Sequence, residues 1–142
     1  MPHSRASRLR NTTALHSPPK WPTSRSFPST RCTRACAQLV EHLPPAALLR
    51  FLELAAAKLR PGGLLVAETI NPLSPLALRN YFADLTHAQP LVPETLALLA
   101  LQSGFVRVDV RFANEPERPD GVDARIADIL FAPLDYAIVA RT

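Results

Sequence analysis

Two histidines have the residue type and the surroundings that acid–base chemistry requires. His87 lies in a polar segment, residues 84–90 (DLTHAQP), between two predicted helices. An unperturbed imidazole has a pKa of about 6.5, which suits a general base near neutral pH. His42 follows Glu41 where another predicted helix begins. We take His87 and His42 as candidate catalytic residues, with a structural histidine as the competing interpretation of each.

More polar residues stand at the end of a predicted strand and on the helix that follows it. Glu68 and Asn71 come after an apolar run, and ligands of open α/β sheets bind beyond the carboxyl ends of strands. Both are therefore candidate substrate-binding residues, although Asn71 also precedes a proline, which is common in simple turns. Arg79 and Tyr81 are candidates for contact with an anionic substrate.

The elements that must position these residues follow an α/β pattern. A helix begins at the proline pair 44–45 and carries one apolar face, formed by Leu48, Leu52, Ala55 and Leu59. Residues 61–63 (PGG) end this helix, and residues 64–69 (LLVAET) follow as a continuous apolar run. Such a run is typical of a strand that is buried on both faces of a parallel sheet. A helix that leads into a buried strand is half of a βαβ unit.

The rest of the chain predicts two more helices and two more strands. The helices are expected at residues 75–83, capped by Ser74, and from residue 93 to Gly104. Residues 105–112 alternate between apolar and polar as a half-covered strand does, residues 113–133 are predicted to be a long loop, and residues 134–141 form an antiparallel strand. The predicted core consists of Leu48, Leu52, Leu59, Leu64, Val66, Leu96, Leu99, Phe105, Val108, Ile138 and Val139.

Length and composition exclude several classes of protein. The 142 residues allow one domain, and no uncharged apolar stretch reaches the length of a membrane-spanning helix. Residues 1–40 hold seven of the sixteen basic side chains and none of the twelve acidic ones, so the rest of the chain is mildly acidic. That remainder is typical of a cytoplasmic enzyme, and no membrane association is predicted.

The first segment, residues 1–36, is rich in Ser, Thr, Arg and Pro and lacks apolar periodicity. It is predicted to be disordered, because it cannot bury enough apolar surface. A transit peptide, a basic arm on nucleic acid and an out-of-frame or mis-assigned start are the alternatives, of which nucleic-acid binding is the least favoured. Cys32 and Cys36 have no further ligands at suitable spacing, so no metal site is predicted.

Two strings of residues resemble class I S-adenosylmethionine-dependent methyltransferases with a Rossmann-like fold. They are residues 38–44 (QLVEHLP) and residues 59–66 (LRPGGLLV), at the spacing that the family has between its fourth and fifth strands. Residues 68–72 (ETINP), the Thr86-His87 loop and residues 135–139 (DYAIV) resemble the branch that includes sugar and polysaccharide methyltransferases. The resemblance covers residues 38–142, the C-terminal part of such a domain.

The resemblance implies a fold, a cofactor and an activity. The fold is α/β, a partial Rossmann-like sheet with a parallel strand and a C-terminal antiparallel hairpin. The cofactor is S-adenosyl-L-methionine, beside which Gln38 and Glu41 would lie, with His42 near the acceptor. The activity is methyl transfer to a hydroxyl of a sugar or other small acceptor.

The chain also departs from the family. No glycine precedes Gly62 and no acidic residue precedes Glu41, so the glycine turn and the ribose-binding acid of the cofactor site have no counterpart. The family's first three strands are absent, and its fourth is unrecognisable in residues 33–37. We therefore expect a fragment that binds the cofactor poorly. The alternative is a non-catalytic accessory subunit that completes its sheet with a partner chain.

Overall fold

A computed structural model describes residues 33–142 of the chain. Most of the segment that was predicted to be disordered, residues 1–32, lies outside the described residues. The last residues of that segment do not fit the prediction, because Thr33–Ala37 form a strand, β1, that pairs with the next strand along the chain. None of the helices in residues 33–142 is both long and apolar enough to cross a membrane.

The described residues form four strands, four helices and one short 3-10 turn. The strands are β1 (Thr33–Ala37), β2 (Leu64–Ile70), β3 (Arg107–Ala113) and β4 (Asp135–Arg141). The helices are α1 (Pro45–Lys58), α2 (Pro75–Ala83), α3 (Pro93–Gln102) and α4 (Ala124–Leu130), and the 3-10 turn is Val40–His42.

The strands form one mixed sheet in the order β1-β2-β4-β3. β1 and β2 are parallel, whereas β4 lies antiparallel to both β2 and β3. This arrangement confirms the predicted partial α/β sheet with a C-terminal antiparallel hairpin. The carboxyl ends of β1 and β2 lie at the same edge of the sheet, which we call the carboxyl edge.

The core lies between one face of the sheet and the helices α1 and α3. Leu65 and Ala67 of β2 face Ala140 and Ile138 of β4, and all four are buried. Tyr136 is also buried, and its hydroxyl donates to the backbone carbonyl of Leu91 at 2.8 Å. The buried cluster is completed by Val40, Leu48, Leu52, Leu59, Leu91, Leu96, Ala100 and Phe105.

The opposite face of β2 is less covered than the sequence predicts. Leu64, Val66 and Val139 are only half-buried, although all three were expected in the core. The reason is that the helix residues of the buried cluster come from α1 and α3 and pack with Leu65 and Ala67, on the other face of β2. Leu99 and Val108, also expected in the core, are partly buried against it.

Three local predictions were wrong in detail. The strand at residues 33–37 went unrecognised because its polar, half-exposed sequence gains order from pairing with β2. The predicted loop 113–133 contains α4, which begins where Asp123 accepts backbone N–H bonds from Arg125 and Ile126. Ser74 precedes α2 but does not cap it, because its hydroxyl donates to the Ala132 carbonyl at 3.0 Å.

Candidate functional site

The candidate site begins where the chain leaves β1 at the carboxyl edge. Gln38 has a φ of 50°, in the left-handed region that non-glycine residues seldom adopt. This conformation turns the chain from β1 into the 3-10 turn that carries Glu41 and His42. Such backbone conformations are common at ligand sites, where the surrounding structure must hold them in place.

A second segment, residues 84–90, packs against this turn. The backbone N–H of Ala88 donates to the Glu41 carbonyl at 2.8 Å, which fixes the segment beside the turn. The ring centroids of His42 and His87 consequently lie 4.6 Å apart. The structure thus brings His87 beside Glu41 and His42, from which it is more than forty residues distant in the sequence.

Glu41 has an unusual environment for a carboxylate. Its side chain is 1% exposed, and neither carboxylate oxygen has a hydrogen-bond partner among the described residues. Buried charged groups are normally paired or bound to a metal, because desolvation without compensation is costly. Glu41, which was predicted to lie beside the cofactor, therefore has two carboxylate oxygens that are able to accept hydrogen bonds but have no donor among the described residues.

His87 is held firmly in one orientation. Its side chain is 6% exposed, and its Nδ1 lies 2.6 Å from the backbone carbonyl of Tyr81. The Tyr81 ring stacks on the imidazole with 4.6 Å between centroids. Because a carbonyl only accepts, Nδ1 carries the proton and Nε2 keeps its lone pair. The nearest Asp84 oxygen is 3.9 Å from Nε2, too far for a hydrogen bond.

His42 is oriented by two residues that the sequence analysis missed as functional. Its Nδ1 lies 2.9 Å from the hydroxyl oxygen of Thr86, and that hydroxyl donates to Asp84 at 2.6 Å. Because the Thr86 hydroxyl donates its single proton to Asp84, it can only accept a hydrogen bond from His42. Nδ1 of His42 therefore carries the proton, and Nε2 is free. The Asp-x-Thr spacing, with the Thr86 N–H donating to Asp84, is the sequence signal of this turn.

The negative charge of Glu41 acts on several neighbouring groups. Burial, and then the charge of Glu41, raise the pKa of the Cys36 thiol to about 11. The same two causes, in the same order, raise the pKa of the Tyr81 hydroxyl and that of the Tyr136 hydroxyl. Hydrogen bonds from Thr86 lower the pKa of Asp84. The interior beside the turn is thus a region of negative potential.

A second polar group lies nearby at the carboxyl edge. Asp135 accepts hydrogen bonds from the side-chain amides of Gln38 (3.3 Å) and Asn114 (2.6 Å). Burial first, then the charges of Asp135 and Glu41, raise the pKa of Glu68. Gln38 and Asp135 line a cavity of about 220 Å³, with Asn80 of α2 on its far side.

The remaining predicted site residues differ in how the structure uses them. Asn71 is buried, and its amide donates to the Pro133 carbonyl at 2.8 Å and accepts from the Leu73 N–H at 3.1 Å. The competing interpretation, a turn residue, is the one that this geometry favours. Arg79 is exposed on α2, and its side chain has no hydrogen bond or ion pair with another residue in 33–142. Tyr81 is buried and contacts His87 rather than open solvent.

An open cavity of about 310 Å³ adjoins His87. Its walls are formed by α2 and by the segment that follows it, with lining residues Tyr81, Phe82, Asp84, Leu85, His87, Ala88 and Pro90. The cavity is therefore large enough for a small acceptor next to a histidine with a free Nε2.

The glycine turn that the family has beside its cofactor has no counterpart after β1 or β2 in residues 33–142. None of the glycines at positions 62, 63, 104 and 121 follows β1 or β2 at its carboxyl end. Gly62 instead forms the turn before β2, with a φ of 76° and its N–H donating to the Thr142 carbonyl at 2.8 Å. The PGG sequence is thus a turn at the opposite edge of the sheet. Gln38 and Glu41 remain as predicted cofactor contacts, without a glycine turn beside them.

Comparisons with known proteins identify the fold. No protein-family model matches the sequence, and no curated protein matches it. The crystal structure of an S-adenosylmethionine-dependent methyltransferase from Archaeoglobus fulgidus is similar, with 31% identity over 78% of this chain and a TM-score of 0.68. The small RNA methyltransferase HEN1 is similar in fold, with 16% identity, 79% of this chain covered, 14% of its own length covered and a TM-score of 0.53.

The chain spans only 58% of the Archaeoglobus protein. That structure supports the fold that the QLVEHLP and LRPGG strings predict, and it does not test the sugar and polysaccharide branch. The described sheet, with two parallel strands and an antiparallel hairpin, therefore has the fold of part of an S-adenosylmethionine-dependent methyltransferase.

Proposed function

We propose that this chain forms the acceptor-side part of an S-adenosylmethionine-dependent methyltransferase that acts on a hydroxyl group of a sugar or other small molecule. The observation that carries the proposal is the position of His87, which lines an open cavity at the carboxyl edge of a methyltransferase-like sheet. In open α/β sheets this edge is where ligands bind.

The residues of the chain suit proton removal from an acceptor. His87 has its Nδ1 proton bound to the Tyr81 carbonyl, so its Nε2 is the acceptor of a hydroxyl proton. Stacking on Tyr81 holds the ring in place, which limits the cost of orienting it during reaction. The cofactor supplies the methyl group in such enzymes, and the described residues supply no complete cradle for it.

The cavity favours a small polar acceptor. Its lining combines the Tyr81 and Phe82 side chains with the Asp84 carboxylate and the imidazole of His87. Aromatic faces beside polar groups are a common setting for sugar rings, which present both apolar and hydroxyl surfaces. The mildly acidic composition of residues 41–142 supports a cytoplasmic location.

Acceptor binding by the purified chain tests this proposal. We expect neutral, phosphorylated and acidic monosaccharides, titrated into labelled protein, to shift the NMR signals of His87 and Tyr81 in a saturable way. The His87→Gln variant should bind the same acceptor more weakly, whereas Glu53→Gln, an exposed change on α1, should bind normally. Absence of any saturable shift at the cavity across the panel would contradict the proposal.

Calorimetry with the cofactor tests the second half of the proposal. We expect the 142-residue chain to bind S-adenosylmethionine weakly, because no glycine turn follows β1 or β2. Micromolar binding of S-adenosylmethionine by the chain alone would show that the chain holds a complete cofactor site. That result would contradict the proposal that the chain forms only the acceptor side.

A second candidate function is that of a non-catalytic accessory subunit that completes its sheet with a partner chain. Within residues 33–142, β1 pairs on one side only, with β2. A groove of about 430 Å³ runs beside β1 and is lined by the apolar side chains of Leu39, Phe51 and Leu54, among others. An edge strand beside an apolar groove favours the addition of a strand from another chain.

The oligomeric state tests this second candidate. Size-exclusion chromatography with light scattering should give a discrete complex, either with a co-expressed partner or with a second copy. A Leu54→Lys substitution in the groove should dissociate that complex, whereas Leu98→Lys, at an exposed leucine of α3, should not. A monomer at all concentrations would count against an accessory role.

A further inference from the structure

We propose that Glu41, His42 and His87 bind a divalent transition-metal ion at the carboxyl edge of the sheet. Each residue offers one ligand atom, and the three atoms lie within 4.8 Å of one another. The three residues come from the turn after β1 and from the segment after α2, so they converge only in the folded chain.

The spacing of the three atoms is close to that of a metal site. Ligands about 2.1 Å from a tetrahedral metal ion lie about 3.4 Å apart. Because the three ligand atoms are up to 4.8 Å apart, the ends of the side chains would have to move by about 1 Å to reach this spacing. Such movements are within the reach of the Glu41 side chain, whose oxygens no hydrogen bond restrains.

The carboxylate of Glu41 points independently to a missing cation. It is almost completely buried, and both oxygens lack partners among the described residues. No salt bridge within residues 33–142 neutralises it. A divalent ion would supply both the opposite charge and the ligand bonds that the buried carboxylate lacks.

Both imidazoles are oriented as metal ligands usually are. A metal-bound histidine commonly donates its other ring N–H to a carbonyl, a carboxylate or a similar acceptor. His87 does so to the Tyr81 carbonyl, and His42 does so to Thr86, which in turn is bonded to Asp84. In each ring the arrangement leaves Nε2 as the free donor atom.

The donor set selects the type of metal. Two imidazole nitrogens and one carboxylate suit Mn²⁺, Fe²⁺, Co²⁺ or Zn²⁺, whereas Mg²⁺ prefers oxygen ligands. Three protein ligands also leave coordination positions open, as in catalytic rather than structural sites. The cavity beside His87 is the space from which a further ligand would enter.

Metal binding is independent of the proposed function, whereas a catalytic role for the metal ion rests on the proposed function. With an acceptor hydroxyl in an open coordination position, the ion would lower the pKa of that hydroxyl. His87 would then hold the ion through Nε2 and would not itself remove the proton, which would leave to solvent or to the Asp84 carboxylate at the cavity wall.

Manganese titration of the full chain tests the site. We expect electron paramagnetic resonance to show one saturable Mn²⁺ per chain, displaced by Zn²⁺ at lower concentration and barely by Mg²⁺. The variants Glu41→Met, His42→Gln and His87→Gln should each weaken Mn²⁺ binding at least 10-fold. Glu53→Gln, which changes an exposed carboxylate, should leave it unchanged.

Donor atoms outside the described residues are controlled separately. His3, His16 and Cys32 are replaced together, by Gln, Gln and Ser, and the same titration is repeated. Saturable binding that survives this change and is lost in the three site variants supports the site. No saturable binding, or binding that persists in all three site variants, would overturn the proposal. Either result leaves acceptor binding, and hence the proposed function, to its own test.

Discussion

Replacement of Glu41 by methionine should stabilise the metal-free protein. The side chain of Glu41 is 1% exposed, and its two oxygens have no partners among the described residues. Methionine has a similar length and no charged atoms, so the substitution removes the uncompensated group with little change in volume. An unsatisfied buried polar group costs about 1–3 kcal/mol, and a charged one costs more. We therefore expect the free energy of unfolding to rise by about 1–3 kcal/mol.

Urea denaturation in the presence of EDTA measures this effect. With a slope of about 2 kcal/mol per molar urea, the midpoint should rise by on the order of 1 M at an unchanged slope. The control is Glu53→Gln, whose exposed carboxylate pairs weakly with Arg50, and it should change the stability by less than about 0.5 kcal/mol. Glu41→Met should also bind Mn²⁺ at least 10-fold more weakly, and its greater stability would exclude misfolding as the cause.

A loss of stability in Glu41→Met would refute this reasoning. It would mean that the folded protein compensates the carboxylate, through water or a group that the described residues do not include. If Glu41→Met is more stable and also binds the metal ion more weakly, then the Glu41 carboxylate serves ligand binding rather than the stability of the fold.

Three further predictions concern neighbouring groups. Asn71→Ala should lower the free energy of unfolding by about 1–3 kcal/mol, because it removes a buried side-chain amide that donates to the half-buried Pro133 carbonyl, and urea denaturation checks this. In a Cys32→Ser background, Cys36 should react with iodoacetamide at pH 8 on the order of 100-fold more slowly than an unperturbed thiol, because its pKa is about 11; an ordinary rate would contradict its burial. The pKa of Glu68 is higher in the folded protein than in the unfolded chain. Ionisation of Glu68 therefore lowers the free energy of unfolding as the pH rises from the pKa in the unfolded chain through the pKa in the folded protein. Glu68→Gln should therefore stabilise the protein more at pH 7 than at pH 4, and equal effects at both pH values would be evidence against the shift.

Local patterns were sufficient for most of the secondary structure. The predicted helix at residues 75–83 is α2, and the apolar run at residues 64–69 is β2 and is parallel to a neighbour. These elements carry strong local signals, a proline at the first helical position and a continuous apolar run. β1 was missed because five residues of mixed polarity become a strand only through pairing with β2.

The site shows the limit of the same reasoning. His42 and His87 were both singled out from the sequence, but as separate catalytic candidates, and the only metal site that was considered, at Cys32 and Cys36, was rejected for lack of further ligands. The contact between them depends on the bond from the Ala88 N–H to the Glu41 carbonyl. No periodicity encodes a bond of that kind.

The sequence by itself determined the α/β class, the order of most elements and the residue types that are able to do chemistry, because these depend on local propensity and apolar periodicity. Only the tertiary structure decided that Glu41 would be buried without partners among the described residues and that each imidazole would have its Nδ1 hydrogen-bonded and its Nε2 free. Burial and side-chain orientation depend on contacts between segments that are more than forty residues apart, and such contacts exist only after the sheet and its loops have packed.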